Sequence, residues 1–228
     1  MSQAASALAS LRELDQTFVT THKDALFREG FAYVILDNDQ SQKVSQDDLY
    51  RLSFFHERLS TAMLAQVAFQ LLNLLDYLHQ NDVVVRYLNL RNIVGTKQFD
   101  YNHSNFELKI ANLPMLLLLD HACYKSRHDK KFGGADGIFI APELHKEQHH
   151  RCEASDKADI WSLGVILYMM VTGGENEAVG EHKDYNFDLS GTLWQSYPKE
   201  LTHFIQSCLS KVPTERLSAR KLLQSELI

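Results

Sequence analysis

The clearest periodicity in the chain runs from Ser60 to His79. Leu64, Val67, Ala68, Leu71, Leu72, Leu75 and Leu78 recur at three- and four-residue intervals, the spacing that stacks side chains on one face of an α-helix. The pattern predicts a helix with a wide apolar stripe, ended by Asn81-Asp82. A second apolar stretch, Ile160 to Thr172, has almost no polar face and predicts a buried central helix closed by Gly173-Gly174. Between them, Val83-Val84-Val85 and Ile93-Val94 predict two short strands around a polar loop, with a return strand at Phe106 to Ile110. Upstream, Leu8, Leu11, Leu14 and Phe18 predict a helix over 4–18. Ala25 to Phe27 and Phe31 to Leu36 predict a hairpin joined at Gly30, and Ser45 to Asp48 caps a short helix reaching Phe55. Downstream, helices are predicted at Thr202 to Leu209 and Ser218 to Leu227, separated by Pro213. Residues 112–143 are irregular, with Pro114, a basic cluster at Lys125, Arg127, Lys130 and Lys131, and Gly133-Gly134. The chain is thus mainly α with a few short strands.

Composition narrows the class. The chain has 228 residues, 45% of them hydrophobic, enough for one sizeable core. A net charge of −6 gives no reason to expect nucleic acid or an anionic membrane surface as partner. Met115 to Leu119 is the densest apolar run and falls far short of the roughly 20 residues of a membrane span. Residues 1–18 carry Glu13 and Asp15 and no long apolar core, so a secretory signal is not expected and a cytoplasmic location is the default. Cys123, Cys152 and Cys208 are odd in number and scattered, which reads as free thiols. His145, Gln148, His149, His150 and Cys152 match no common zinc spacing, so no metal site is expected there.

Six landmarks occur in order. The Asp76-Tyr77-Leu78-His79 helix end is followed by Arg86-x-Leu88-x-x-x-Asn92, then by Leu108-Lys109-Ile110-Ala111-Asn112-Leu113-Pro114. Ala141-Pro142-Glu143, Asp159-Ile160-Trp161-Ser162-Leu163-Gly164 and Pro213-Thr214-Glu215-Arg216 complete the series. Together they resemble the C-terminal lobe of a protein kinase: the helix before the catalytic loop, the loop itself, the strand ending in D-F-G, the A-P-E motif, the D-x-W-S-x-G helix start and the P-x-x-R near the end. The resemblance covers about residues 37–228, a kinase-like C-lobe, and leaves 1–36 as a rudimentary N-lobe remnant of a helix and a hairpin. The tail from Phe187, with Trp194 and Leu201 to Leu209, is most similar to the calcium/calmodulin-dependent and calcium-dependent kinase groups. No EF-hand pattern follows.

The resemblance implies roles residue by residue. Glu143 and Arg216 should pair as carboxylate and guanidinium, pinning the activation segment to the lower lobe. Asp159 should accept hydrogen bonds from the catalytic-loop backbone, and Trp161 should pack the core. Phosphoryl transfer needs phosphates cradled, Mg²⁺ held and the acceptor hydroxyl oriented. Against that requirement Tyr87 stands in the place of the loop Asp, and Asn112 in the place of the metal-binding Asp. A phenol, with an ordinary pKa near 10, is a poor substitute for a carboxylate base. Arg86 and Asn92 are retained; Asn92 could still hold a metal or bind a cofactor, or equally be a turn residue bonding its own backbone. Neither a glycine-rich loop nor a V-A-I-K strand precedes the long helix; Lys23 is the only lysine before Lys43.

The expectation from these losses is a catalytically inactive, pseudokinase-like protein without ATP or Mg²⁺ as cofactor. It would act as a scaffold, allosteric partner or structural subunit, binding protein partners through the face that an N-lobe normally covers. The alternatives are a residual or atypical ATP-binding protein serine/threonine kinase, and a switch that senses ATP without catalysis.

Overall fold

The structure is a computed structural model and describes residues 22–28, 31–36, 59–86, 88–95, 106–111, 113, 135–146, 155–173 and 186–228. The helices expected over 4–18 and toward Phe55, the residues Tyr87 and Asn112, and the basic cluster at 125–131 lie outside the described residues.

Two antiparallel pairs form. Strands β1 (His22–Arg28) and β2 (Phe31–Leu36) are the hairpin, in register from Asp24↔Ile35 to Arg28↔Phe31. The first strand is longer than the apolar triplet at 25–27 suggested, because ladder pairing recruits the polar residues flanking it. Strands β3 (Ile93–Gly95) and β4 (Leu108–Ile110) pair as Ile93↔Ile110, Val94↔Lys109 and Gly95↔Leu108.

Helix α1 (Thr61–Gln80) is the long periodic helix. Ser60 caps it, its hydroxyl accepting from the Met63 N–H at 3.2 Å, which satisfies a donor that the first turn leaves without a partner. Asn81 closes it, its N–H donating to the carbonyls of Leu78 and His79. All seven apolar positions of the stripe are buried, with Met63 and Leu74 besides. Val83 to Val85 form no strand, contrary to expectation. The Val83 N–H goes to the Leu78 carbonyl (2.9 Å) and the Val85 N–H to the Asp159 carboxylate (2.9 Å). With those donors spent on a helix end and a side chain, β-branched propensity has no ladder to join.

The short helix α2 (Pro142–Lys146) precedes the central helix α3 (Lys157–Thr172). Buried residues occupy α3 in an unbroken run from Ala158 to Tyr168, as its lack of a polar face requires. Gly173 ends it at φ 68°, in the left-handed region, its N–H returning to the Met169 carbonyl. Helix α4 (Lys199–Cys208) starts three residues before the expected Thr202, because Pro198 sets the entry and exposed Lys199 and Glu200 add a polar first turn. Helix α5 (Ala219–Leu222) is shorter than expected; beyond it the bonds Gln224→Lys221, Ser225→Leu222 and Ile228→Ser225 are i→i−3, tight turns instead of α-helix.

The core is built around α3, which packs against α1 and against α4. Trp161, Phe187, Tyr168 and Trp194 form a chain of ring contacts along one side of α3, with centroids 5.0 to 5.6 Å apart. Cys208 is a fully buried thiol pushed up to about 12 by burial, so it packs as an apolar side chain.

Gly164 lets α4 approach α3. A Cβ there would stand 2.8 Å from the Cys208 Cβ and 3.0 Å from the Leu209 side chain. Gly164→Ala is therefore expected to destabilise by about 1–3 kcal/mol through overpacking. Gly191, where an added Cβ meets nothing within 4 Å, is the control: Gly191→Ala should shift the urea midpoint by less than about 0.5 kcal/mol equivalent. Equal midpoints for the two variants would show that the helix contact is not tight.

Candidate active site

The loop between α1 and β3 is held by one carboxylate. Asp159, fully buried in the first turn of α3, accepts from the Val85 N–H at 2.9 Å and the Arg86 N–H at 2.6 Å. Its second partner set is His79 at the end of α1, whose Nε2 lies 2.9 Å from Oδ2. A helix end, a loop and the central helix thus converge on two oxygens. Arg86 sits at φ 63°, a left-handed conformation that a bulky residue adopts only when its surroundings impose it. The Asp159 bond to its N–H is such a constraint.

Further along the loop, Asn89 makes its own turn. Its side-chain oxygen accepts from the N–H groups of Arg91 (2.9 Å) and Asn92 (3.2 Å), capping the 3₁₀ turn Leu90–Asn92. Leu88 and Leu90 anchor it from below as buried residues. The Asn92 carbonyl accepts from the Ala111 N–H at 2.8 Å, so the loop end and the end of β4 are neighbours. Leu113 is buried two residues on.

The second cluster surrounds Arg216, whose side chain is fully buried. Nη1 and Nη2 meet the Glu143 carboxylate oxygens at 2.7 and 2.9 Å, a two-point fork. Nη1 also donates to the Lys157 carbonyl (2.9 Å), Nε to the Ser210 carbonyl (2.8 Å), and the guanidinium carbon lies 5.0 Å from the centre of the Trp161 ring. Trp161 Nε1 donates to the Ile138 carbonyl at 3.0 Å and Ser162 Oγ to the Phe139 carbonyl at 2.8 Å. The segment before α2 is therefore sewn to α3 by side chains.

Asn89 and Gln70 were not singled out from sequence as functional residues, and His79 only as a landmark. Asn89 had a local signal, an Asn one residue before a short turn. Gln70 had another: it is a polar residue on the ridge between Val67 and Leu74 of an otherwise apolar stripe. The His79 contact spans 80 positions, and no local pattern encodes that. Among the described residues no group of three or more His, Cys, Asp or Glu side chains could hold a metal ion. Asp159, the one fully buried carboxylate among the described residues, has its oxygens taken. Cavities of about 540 and 410 Å³ lie along α4, and neither is lined by a residue of the 83–95 loop.

The protein kinase domain profile matches residues 2–228. The chain belongs to the protein kinase family. Serine/threonine-protein kinase dst2 of Dictyostelium discoideum is 29% identical over 176 residues, 75% of this chain and 14% of that protein. Serine/threonine-protein kinase 33 of Mus musculus is 27% identical over 224 residues, 93% of this chain and 41% of its own length. Calcium-dependent protein kinase 4 of Plasmodium falciparum is 31% identical over 174 residues, 72% of this chain and 30% of that protein. The chain thus spans less than half the length of each of these kinases. No helix among the described residues is long and apolar enough to cross a membrane.

These findings overturn the expectation of a catalytically inactive scaffold. The family match runs across 2–228, well beyond the stretch that carries the lower-lobe landmarks, and the relatives are serine/threonine kinases. The physical reason lies in the chemistry. Phosphoryl transfer goes through a loose transition state and is driven by positioning and electrostatics, so the exchange of two carboxylates, for a phenol at 87 and an amide at 112, does not by itself decide the outcome.

The Arg216 fork gives a testable stability difference. Glu143→Ala leaves a buried guanidinium without its counter-charge and should cost about 3 kcal/mol. Breaking the exposed Asp76–Arg220 pair (3.3 Å, Arg220 side chain 64% exposed) with Arg220→Ala should cost no more than about 0.5 kcal/mol. Chemical denaturation of both variants checks the contrast; equal losses would mean that burial adds nothing to the fork.

Proposed function

We propose that this chain is the kinase domain of an atypical ATP-dependent protein serine/threonine kinase. The observation that carries this is the family match over residues 2–228, with relatives that are themselves named serine/threonine kinases. The pinned loop supports it, since catalysis by positioning needs a rigid frame more than a strong base.

In the reaction, a serine or threonine hydroxyl of the protein substrate attacks the γ-phosphorus of ATP. The new O–P bond forms as the bond to the β-phosphate oxygen breaks, ADP leaves, and the hydroxyl proton is released. Asn92, on the 3₁₀ turn capped by Asn89, is the residue assigned to the nucleotide side. Tyr87 occupies the loop position facing the acceptor in the family, where a neutral phenol orients a hydroxyl by hydrogen bonding and takes up its proton poorly. The hairpin β1–β2 belongs to a reduced upper lobe in this reading.

The deciding measurement is transfer of radiolabelled γ-phosphate to protein serine or threonine, with Mg²⁺ or Mn²⁺ present. Label on those residues is expected, and its absence at millimolar ATP would end the kinase reading. Asn92→Ala should lower kcat at least about tenfold, equivalent to ~1.4 kcal/mol of barrier. Tyr87→Asp, which restores a carboxylate with an ordinary pKa near 4, should raise kcat about a hundredfold, the lower side of a general base's usual contribution. An unchanged rate for Tyr87→Asp would place the slow step elsewhere.

A further inference from the structure

The outer edge of β4 has no strand beside it in the described structure, yet its groups are paired. The bond from the Ala111 N–H to the Asn92 carbonyl shows which side of the strand faces β3. Backbone groups alternate along a strand, so those of residues 109 and 111 point to β3 and those of Phe106 and Leu108 point away. On that far side lies Gln70 of α1. Its Nε2 donates to the Phe106 carbonyl at 2.8 Å, and its Oε1 accepts from the Leu108 N–H at 2.8 Å. Donating to residue i−1 and accepting from residue i+1 is what one residue of a parallel strand does. The side-chain amide takes the place of a third strand, and the chemistry of its two partners fixes which end is nitrogen.

We propose that Gln70 is a positioning residue for the nucleotide side of the site. It fixes the register of β4 from one edge. The Ala111–Asn92 bond on the other edge passes that register to the loop turn carrying Asn92. Apolar residues of the same length can fill the space but leave a carbonyl and an N–H without partners. Strand β4 is only three residues long, and two side-chain bonds are a large share of what holds it.

The rate readout rests on the kinase reading; the exchange readout does not. The full chain is compared with Gln70→Met, which removes both bonds, and Gln70→Glu, which keeps the acceptor for Leu108 and loses the donor to Phe106. Amide exchange is expected to quicken at Ala111 by at least about tenfold in Gln70→Met while the Ile205 amide of α4 keeps its rate. The KM for ATP should rise about fivefold with the KM for the protein substrate unchanged. Gln70→Glu should fall between wild type and Gln70→Met, and it carries the same comparison if Gln70→Met does not fold. A merely structural loss lowers the active fraction, scales the rate at every ATP concentration and speeds both amides alike; that result overturns the proposal. If the wild type transfers no phosphate, the kinase reading and with it the nucleotide role fail, and Ala111 exchange decides the β4 clamp by itself: faster exchange supports the clamp, unchanged exchange overturns it.

Discussion

The structure hangs on the carboxylate of Asp159. It is fully buried, and a buried charge is tolerated only when its lone pairs are used. Here they accept from two successive backbone N–H groups of the loop and meet an imidazole at the end of α1. Removing the carboxylate would orphan all of these groups together. The same bonds explain two features that sequence alone misjudged or missed. Val85 joins no ladder because its N–H is engaged by Asp159, and Arg86 tolerates a left-handed backbone because its N–H is claimed. The first turn of the central helix thereby dictates the shape of a loop more than 70 residues away.

Arg216 plays the corresponding role on the other side of the same helix. Its guanidinium ties Glu143, the start of α3 and the Ser210 carbonyl into one knot, with the Trp161 ring against it. Five N–H donors in a planar fork suit this place, and a lysine could not reproduce it. Trp161 and Ser162 extend the knot to the carbonyls of residues 138 and 139. These contacts are positional. They make a frame, and because phosphoryl transfer in general depends on positioning, the substitutions at positions 87 and 112 do not by themselves make the site inert.

Legibility differed by element. The apolar stripes of α1 and α3 were readable because burial of a helix face leaves a period in the sequence. The hairpin and the β3 and β4 strands were readable as short apolar runs. Helix α5 was overextended, since Leu222, Leu223 and Leu227 kept an apolar spacing that the backbone satisfies with tight turns instead. In the site, Glu143, Asp159, Trp161 and Arg216 were identified through ordered motifs. Gln70 and Asn89 were passed over because each acts on backbone groups, and such contacts leave no partner residue to find in a motif.

The amino-acid sequence by itself determined where the buried helices lie and which residues carry the family's motifs, because apolar periodicity and short-range spacing are local properties. Tertiary structure alone decided which other distant groups meet: His79 with Asp159, and Gln70 with the outer edge of β4. Those pairings depend on how helices pack across the core. Separations of 38 to 80 residues lie beyond any local pattern, and each bond is worth forming only once burial has stripped its partners of water.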